Sequence, residues 1–297
     1  MKFRNPKLLC IGECMVEMAP LGDRTYRMGF AGDTFNTAWY ARKLMPADWS
    51  VDYFTAVGDD AASDEMLEFM AASGVGTESI TRLPGKTAGL YMIQLKNGER
   101  SFSYWRETSA ARQLTADEAK LAEVMGDAGL IYFSGITLAI LSPEHRQNLF
   151  FALKVARAAG AVIAFDPNLR PRLWLDTATM CAAITEAATL ADIVLPSFED
   201  EAEYFGDKKP ADTAARYAAP LVIVKNGDSE MLIVDGDAQT FTPTPITDVI
   251  DSTAAGDSFN AGFFSVLIAG GSVMEGVEKG AETSAKVIMQ RGALVDL

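Results

Sequence analysis

The chain has 297 residues, 49% apolar and 22% charged, with 26 Lys plus Arg against 40 Asp plus Glu and a net charge of −14. That length allows one large α/β domain or two smaller ones with a sizeable core. The acidic balance disfavours nucleic acid and anionic membrane surfaces as partners, and three Cys with a single His argue against a disulfide framework or a zinc cage.

Residues 7–11 read as a short buried strand. The apolar run Leu8-Leu9-Cys10-Ile11 stops at Gly12-Glu13, too short for a signal peptide, and no run in the chain reaches the length of a membrane span. A cytoplasmic protein is expected. The turn Gly12-Glu13-Cys14-Met15 lacks the G-x-G-x-x-G fingerprint, which weighs against a dinucleotide-binding oxidoreductase. Residues 14–31 read as extended edge or lid structure. Phe30 to Asn36 then opens a helix running to about Leu44. Within it Gly32 permits close backbone approach. Asp33 can accept hydrogen bonds from sugar hydroxyls, and Asn36, one turn on, can donate or accept. A plain helix start capped by Asp33 or Thr34 is equally compatible.

Residues 51–57 read as a strand and 61–73 as a helix. Residues 88–95 and 100–106 flank Lys96-Asn97-Gly98-Glu99, and Asn-Gly between two extended runs is a strong hairpin signal. Tyr91, Tyr104, Trp105 and Arg106 lie on this hairpin, which either packs on a core or closes over a polar ligand. From about residue 115, helices at 116–125, 143–159 and 177–189 alternate with strands at 129–134, 161–166, 192–196 and 220–225, followed by a hairpin at 230–242. That rhythm implies a parallel sheet covered by helices on both faces. Ligands of such sheets bind at the carboxyl ends of the strands, here Gly135, Asp166-Pro167-Asn168, Pro196-Ser197 and Lys225-Asn226-Gly227. Arg170, just past one of these ends, can fork onto a carboxylate or phosphate, or form an ordinary surface ion pair. Cys10, Cys14 and Cys181 read as buried structural residues, and His145 as a surface residue at a helix start.

The most informative stretch is 248–264, DVIDSTAAGDSFNAGFF. A polar run leads into Ala254, Ala255 and Gly256, whose minimal side chains let backbone N–H groups close on a ligand. Phe259, Gly262, Phe263, Val266 and Leu267 follow at helical spacing. Unpaired N–H donors and the positive dipole end of that helix make an anion site suited to a phosphoryl group. A carboxylate beside it, Asp257, is what transfer of phosphate to a hydroxyl needs as a base. The alternative is an N-capped helix in which Asp257 only satisfies backbone donors.

D-S-T-A-A-G-D-S-F-N-A-G-F closely resembles the C-terminal signature of the ribokinase-like (PfkB) carbohydrate kinases, and G-D-x-x-N at 32–36 resembles their N-terminal sugar-binding motif. The resemblance spans nearly the whole chain. GERSFSYWR at 98–106 and DPNLRPRLW at 166–174 are similar to the 2-keto-3-deoxygluconate kinase branch. It implies one ribokinase-like α/β domain over 1–297, with a mostly parallel central sheet and a discontinuous β lid from about 13–31 and 86–107. It implies ATP-dependent phosphorylation of 2-keto-3-deoxygluconate at the 6-hydroxyl, with Mg²⁺ and a monovalent cation such as K⁺. It also implies a homo-oligomer, a dimer through the lid or larger. By resemblance Gly32, Asp33, Asn36, Tyr91, Tyr104, Arg106 and Arg170 hold the substrate, the two arginines meeting its carboxylate. Ala254, Ala255 and Gly256 form the anion hole, with Asp257 as base. Asn168, Lys225 and Gly227 lie near the nucleotide. Relatives often carry Asn where this chain reads Pro196 to Glu201, which leaves Glu201 as the residue expected to organise Mg²⁺ and Asp251 beside the cation loop. Glu230 departs from the glycine common in the nucleotide segment, and a C-terminal contact from Asp296 stays open. The alternatives are a fructokinase or other sugar kinase of the family and, in a different class, a non-catalytic sugar-binding regulator; a nucleoside kinase fits less well, since nucleosides have no carboxylate for two arginines.

Overall fold

The computed structural model describes residues 1–96 and 99–297, with side chains outside 95–100. β1 (Lys7–Ile11) is followed by the antiparallel pair β2 (Met15–Gly22) and β3 (Thr25–Ala31), then α1 (Asp33–Leu44). β4 (Ser50–Phe54) pairs parallel with β1. The expected strand at 51–57 breaks at Thr55, and β5 (Ala56–Val57) leaves the main sheet. After α2 (Ala61–Ala72), β6 (Thr81–Arg82) pairs with β5 in a two-stranded sheet of their own. β7 (Gly89–Lys96) and β8 (Glu99–Trp105) form the expected hairpin, whose Asn97-Gly98 turn lies outside the described residues.

The alternating part contains α3 (Glu118–Met125), β9 (Leu130–Ser134), α4 (Gly135–Ile140), α5 (Pro143–Ala158), β10 (Val162–Asp166), α6 (Thr177–Ala188) and β11 (Ile193–Val194). It continues with α7 (Phe198–Tyr204), α8 (Pro210–Tyr217), β12 (Leu221–Val224), β13 (Met231–Asp235), β14 (Asp237–Phe241), α9 (Ala255–Ile268) and α10 (Val273–Ile288). The large sheet runs β14-β13-β12-β11-β10-β9-β1-β4. It is parallel from β4 to β12 and antiparallel only at the β13 and β14 edge. A second, four-stranded sheet runs β3-β2-β7-β8.

The central strands are buried end to end, as β9, β10 and β12 show. Both faces are therefore apolar, and the period of two divides the core. Leu8, Cys10, Tyr132, Ala164 and Ile223 face one layer, which also holds Phe35, Phe259 and Phe263 of α1 and α9. Leu9, Ile131, Phe133, Phe165 and Val224 face the other, with Leu149 of α5 and Ile184 of α6. Cys10 and Cys14 are buried in this framework, while Cys181 is only half-buried. No helix of the described residues is long and apolar enough to cross a membrane.

Sequence reading passes over four helices: α4, α7, α8 and α10. α10 carries a legible signal, since Ser272 and Glu275 make a capping box directly after Gly270-Gly271. α7 starts two residues after a strand-end proline with a run of acidic residues, Glu199-Asp200-Glu201, and so reads as loop. β1 sits between β9 and β4, so the chain winds away from it in both directions. The crevice at that reversal is where an α/β sheet places its ligand.

The stacked pair Phe133 and Phe165 locks β9 to β10 on the second layer, with ring centroids 4.8 Å apart and both side chains fully buried. Phe133→Ala should cost about 3–5 kcal/mol of unfolding free energy, from transfer loss plus residual cavity. Denaturant titration measures it, and a cost near zero would contradict this packing.

Candidate active site

A cavity of about 590 Å³ opens along the carboxyl ends of the parallel strands. One wall is the start of α1, with Gly32, Asp33 and Asn36. The small sheet supplies Tyr91 and Tyr104, and the strand ends supply Asn168, Arg170, Lys225 and Gly227. Ala254, Ala255, Gly256 and Asp257, at the head of α9, close the floor. Segments more than 200 residues apart in the sequence meet here.

The head of α9 is bare. Its N-cap is Ala254 in the left-handed region, φ 61° and ψ 16°, and no side chain caps it. Such a conformation costs a non-glycine residue free energy and is held only where the surroundings over-determine it. The Ala255 N–H already donates to the Ser252 carbonyl at 3.2 Å, and the first helical bond is Ser258 N–H to Ala254 O at 2.9 Å. The Ala255 N–H is therefore already taken, and the donors that this terminus could offer an anion are the Gly256 and Asp257 N–H groups.

Asp257 does not cap the helix. Its Oδ2 accepts from Asn36 Nδ2 at 2.8 Å, while Asn36 Oδ1 accepts from Gly32 N–H at 3.3 Å. Both ends of the Asn36 amide are thus oriented. Thr37 Oγ1 adds a bond to the Asp257 carbonyl at 3.2 Å. Asp33 is no simple cap either: Oδ1 accepts from Thr34 N–H and Oδ2 from Asn168 Nδ2, both at 2.8 Å. Asn168, itself in the left-handed region at φ 36°, so belongs to the Asp33 side of the cavity as well as to the strand end.

Burial raises the Asp257 carboxyl well above the ordinary carboxylate range, and the negative charge of Asp33 pushes it further; the Asn36 donor opposes this. Asp33 is also raised by burial, with its Ser134, Thr34 and Asn168 contacts holding it down.

Sequence reasoning missed the network behind Lys225. Its Nζ donates to Asp166 Oδ2 at 2.7 Å and to Asn260 Oδ1 at 3.3 Å, and Asn260 Nδ2 donates to the same Asp166 oxygen at 2.7 Å. Asp166 was legible as a strand-end carboxylate, but Asn260 lies inside a helix read for its apolar face. Tyr91 donates to Glu17 of β2, so its ring is fixed against the small sheet. Tyr104 is half exposed at the mouth. Arg170 is also half exposed and lies 3.4 Å from Asp200.

Three expected residues are placed away from the cavity wall. Arg106 is 7% exposed and ion-paired through one Nη to the buried Glu13. Its Nε is buried without a hydrogen-bond partner among the described residues. Glu201 turns inward: Arg216 and Tyr217 donate to it at 2.9 and 2.7 Å, and burial pushes its carboxyl up to about 8 despite them. It braces α7 against α8 and does not face the cavity, whereas its neighbours Glu199 and Asp200 do. Asp251 accepts from Thr253 N–H, Thr253 Oγ1 and Gly292 N–H, ordering the turn ahead of α9. The described residues hold no group of three or more His, Cys, Asp or Glu placed to bind a metal.

The model of the pfkB family carbohydrate kinases matches residues 5–297. The 2-dehydro-3-deoxygluconokinase of Escherichia coli K12 is 38% identical, covering 98% of this chain and 97% of its own. A fructokinase of Rhizobium leguminosarum bv. trifolii is 29% identical over 88% of this chain and 79% of its own. Among solved structures, a PfkB protein of Polaromonas sp. JS666 superposes with a TM-score of 0.83 at 28% identity, covering 95% and 96% of the two chains. An Escherichia coli protein described as a putative ribokinase II in complex with ATP and Mg²⁺ has a TM-score of 0.82 at 23% identity, covering 97% and 94%.

The charge balance around Asp257 sets the sign of two substitutions. Asn36→Ala removes a donor that favours the carboxylate, so the Asp257 carboxyl should titrate higher. Asp33→Asn removes a repelling charge, so it should titrate lower. Carboxyl-carbon NMR titration of both variants checks this; shifts in the opposite sense would show that Asp257 is governed by other groups.

Proposed function

The chain belongs to the pfkB family of carbohydrate kinases, and from that premise we propose how its cavity transfers a phosphoryl group. The protein is an ATP-dependent kinase that phosphorylates 2-keto-3-deoxygluconate at its 6-hydroxyl, giving the 6-phosphate. Full-length similarity to 2-dehydro-3-deoxygluconokinases, stronger than that to the fructokinase, supports the substrate. The observation that carries the chemistry is Asp257, hydrogen-bonded to Asn36 at the head of an uncapped helix.

Asp257 accepts the proton of the 6-hydroxyl as the hydroxyl oxygen attacks the γ-phosphorus; the bond from that phosphorus to the β,γ-bridging oxygen breaks, ADP leaves with that oxygen, and the proton ends on the Asp257 carboxyl. Burial beside Asp33 gives that carboxylate a high proton affinity, as a base requires. The Gly256 and Asp257 N–H groups and the dipole end of α9 face the charge that develops on the transferred group. Asp33, oriented by Asn168, accepts from sugar hydroxyls beside Gly32. Lys225, held by Asp166 and Asn260, and Gly227, in a turn at φ 58°, flank the nucleotide phosphates.

Glu199 and Asp200 also line the cavity, and one or two carboxylates suffice for Mg²⁺, which otherwise keeps waters and phosphate oxygens. Mg²⁺ arriving with ATP would be held by Glu199 and would neutralise phosphate charge, Asp200 being paired with Arg170. The substrate carboxylate lies at the far end. Arg170 meets it from the strand end, and closure of the small sheet as a lid brings the unpartnered edge of Arg106 to it.

With 2-keto-3-deoxygluconate, ATP and Mg²⁺, the protein should release ADP, and Asp257→Asn should lower kcat by about 10²–10⁴-fold with little change in KM. Near-normal turnover would remove Asp257 as the base. Arg170→Ala should raise KM for the keto-acid by about ten-fold while leaving weak fructose turnover nearly unchanged, since fructose has no carboxylate to lose. Equal losses on both sugars would assign Arg170 to ATP or to the fold.

A further inference from the structure

Four chain crossings connect the small sheet to the body of the protein: before β2, after β3, before β7 and after β8. All four meet at Glu13. Glu13 and Cys14 form the first crossing. Gly32 forms the second, and a methyl group there would lie 2.1 Å from the Glu13 carbonyl oxygen. Gly89 opens β7, and a methyl there would lie 2.7 Å from Glu13 Oε1 and 3.2 Å from Arg106 Cβ. Arg106 follows β8 and is ion-paired to Glu13 Oε2. Ser109 Oγ donates to Glu13 Oε1 at 2.6 Å, so both carboxylate oxygens are engaged.

A fully buried carboxylate is costly unless paired and hydrogen-bonded. Among the described residues, the side-chain compensation comes from Arg106 and Ser109, at or just after the exit of the small sheet. Glu13 itself is 2% exposed and does not line the cavity. Its main chain abuts Gly32, whose N–H donates to Asn36 Oδ1, and the same amide holds Asp257. Glu13 is therefore in contact with every hinge of the sheet and, through Gly32 and Asn36, with the orientation of the base.

We propose that Glu13 is a positioning residue for the phosphoryl transfer, the anchor that sets the stance of the lid and holds Arg106 in place without touching the substrate. This rests on the kinase reading above. The buried ion pair fixes one edge of the Arg106 guanidinium and leaves Nε for a ligand acceptor. Gly89 leaves room for the anchoring carboxylate, and Gly32 for the main chain of Glu13 and Cys14.

Two variants test this. Glu13→Gln removes the charge at nearly constant volume. Gly89→Ala leaves the charge and displaces the carboxylate from outside, so it decides the matter if the first variant does not fold. Both should raise KM for the keto-acid by about ten-fold or more while KM for ATP changes by less than about two-fold. Without any ligand, amide hydrogen exchange in β2, β7 and the described part of β8 should be faster than in the native chain. Reverting the second variant to the native Gly89 must return both readings. A lower melting temperature with unchanged KM values and unchanged exchange would make Glu13 a stability residue only and overturn the proposal. Absence of ADP release by the native chain would instead overturn the kinase reading, and the ligand-free exchange comparison would still judge the anchor.

Discussion

Three carboxylates, Asp33, Asp166 and Asp257, are gathered at one cavity in a low-dielectric setting, and the rest of the site is arranged around their repulsion. Each is compensated differently. Asp166 receives an ammonium and an amide, from Lys225 and Asn260. Asp33 receives a backbone N–H and the Asn168 amide. Asp257 receives one amide, from Asn36. The difference in compensation separates Asp33 from Asp257: burial raises both carboxyls, that of Asp257 the further. It singles out Asp257 as the carboxylate with most to gain from a proton, and it does so by contacts that the fold supplies rather than by any property of aspartate.

The fold supplies them because a parallel sheet sends every strand end to the same rim. α1 and α9 start on that rim from opposite ends of the chain and pack against one another on one face of the sheet. Asn36 closes the gap between them. The left-handed Ala254 then turns the polar loop into α9 without a side-chain cap, which leaves the terminus and its donors open to an anion on the proposed reading. A serine or aspartate at that N-cap would stabilise the helix by about 0.5–2 kcal/mol and would occupy those donors.

Much of this was legible in the sequence. The central strands are apolar on both faces, the helices between them have helical periodicity, and the two glycine-aspartate motifs sit at helix starts. What was hidden is orientation. Glu201 and Asp200 are neighbours in an acidic run, and nothing in the run says that one faces inward to Arg216 while the other faces the cavity. Arg106 reads as a lid cation, but its partner Glu13 lies 93 residues away in what reads only as a turn after the first strand. Asn260 is concealed for a different reason: a polar residue on an apolar helix face looks like an isolated exception until the strand end opposite it is known to carry Asp166. Short elements failed for want of length, as at β11, where two residues pair although five were expected.

The two arginines proposed to meet the substrate carboxylate have different surroundings. Arg170 is half exposed and its contact with Asp200 is long, so that ion pair is worth about 0–1 kcal/mol and yields readily to another anion. On the proposed reading, such a group would favour capture of an acidic sugar by a protein whose net charge of −14 otherwise repels it. Arg106 is buried, with one edge committed to Glu13 and Nε lacking any partner among the described residues. A buried donor left unsatisfied costs about 1–3 kcal/mol, and an acceptor that reaches it recovers that cost on binding. A carboxylate can do this with a charge-assisted bond, whereas a neutral hydroxyl offers a weaker acceptor. On the proposed reading, both arginines would favour a sugar acid over a neutral ketose, Arg170 by an exposed charge that changes partner easily and Arg106 by a buried donor that has none among the described residues.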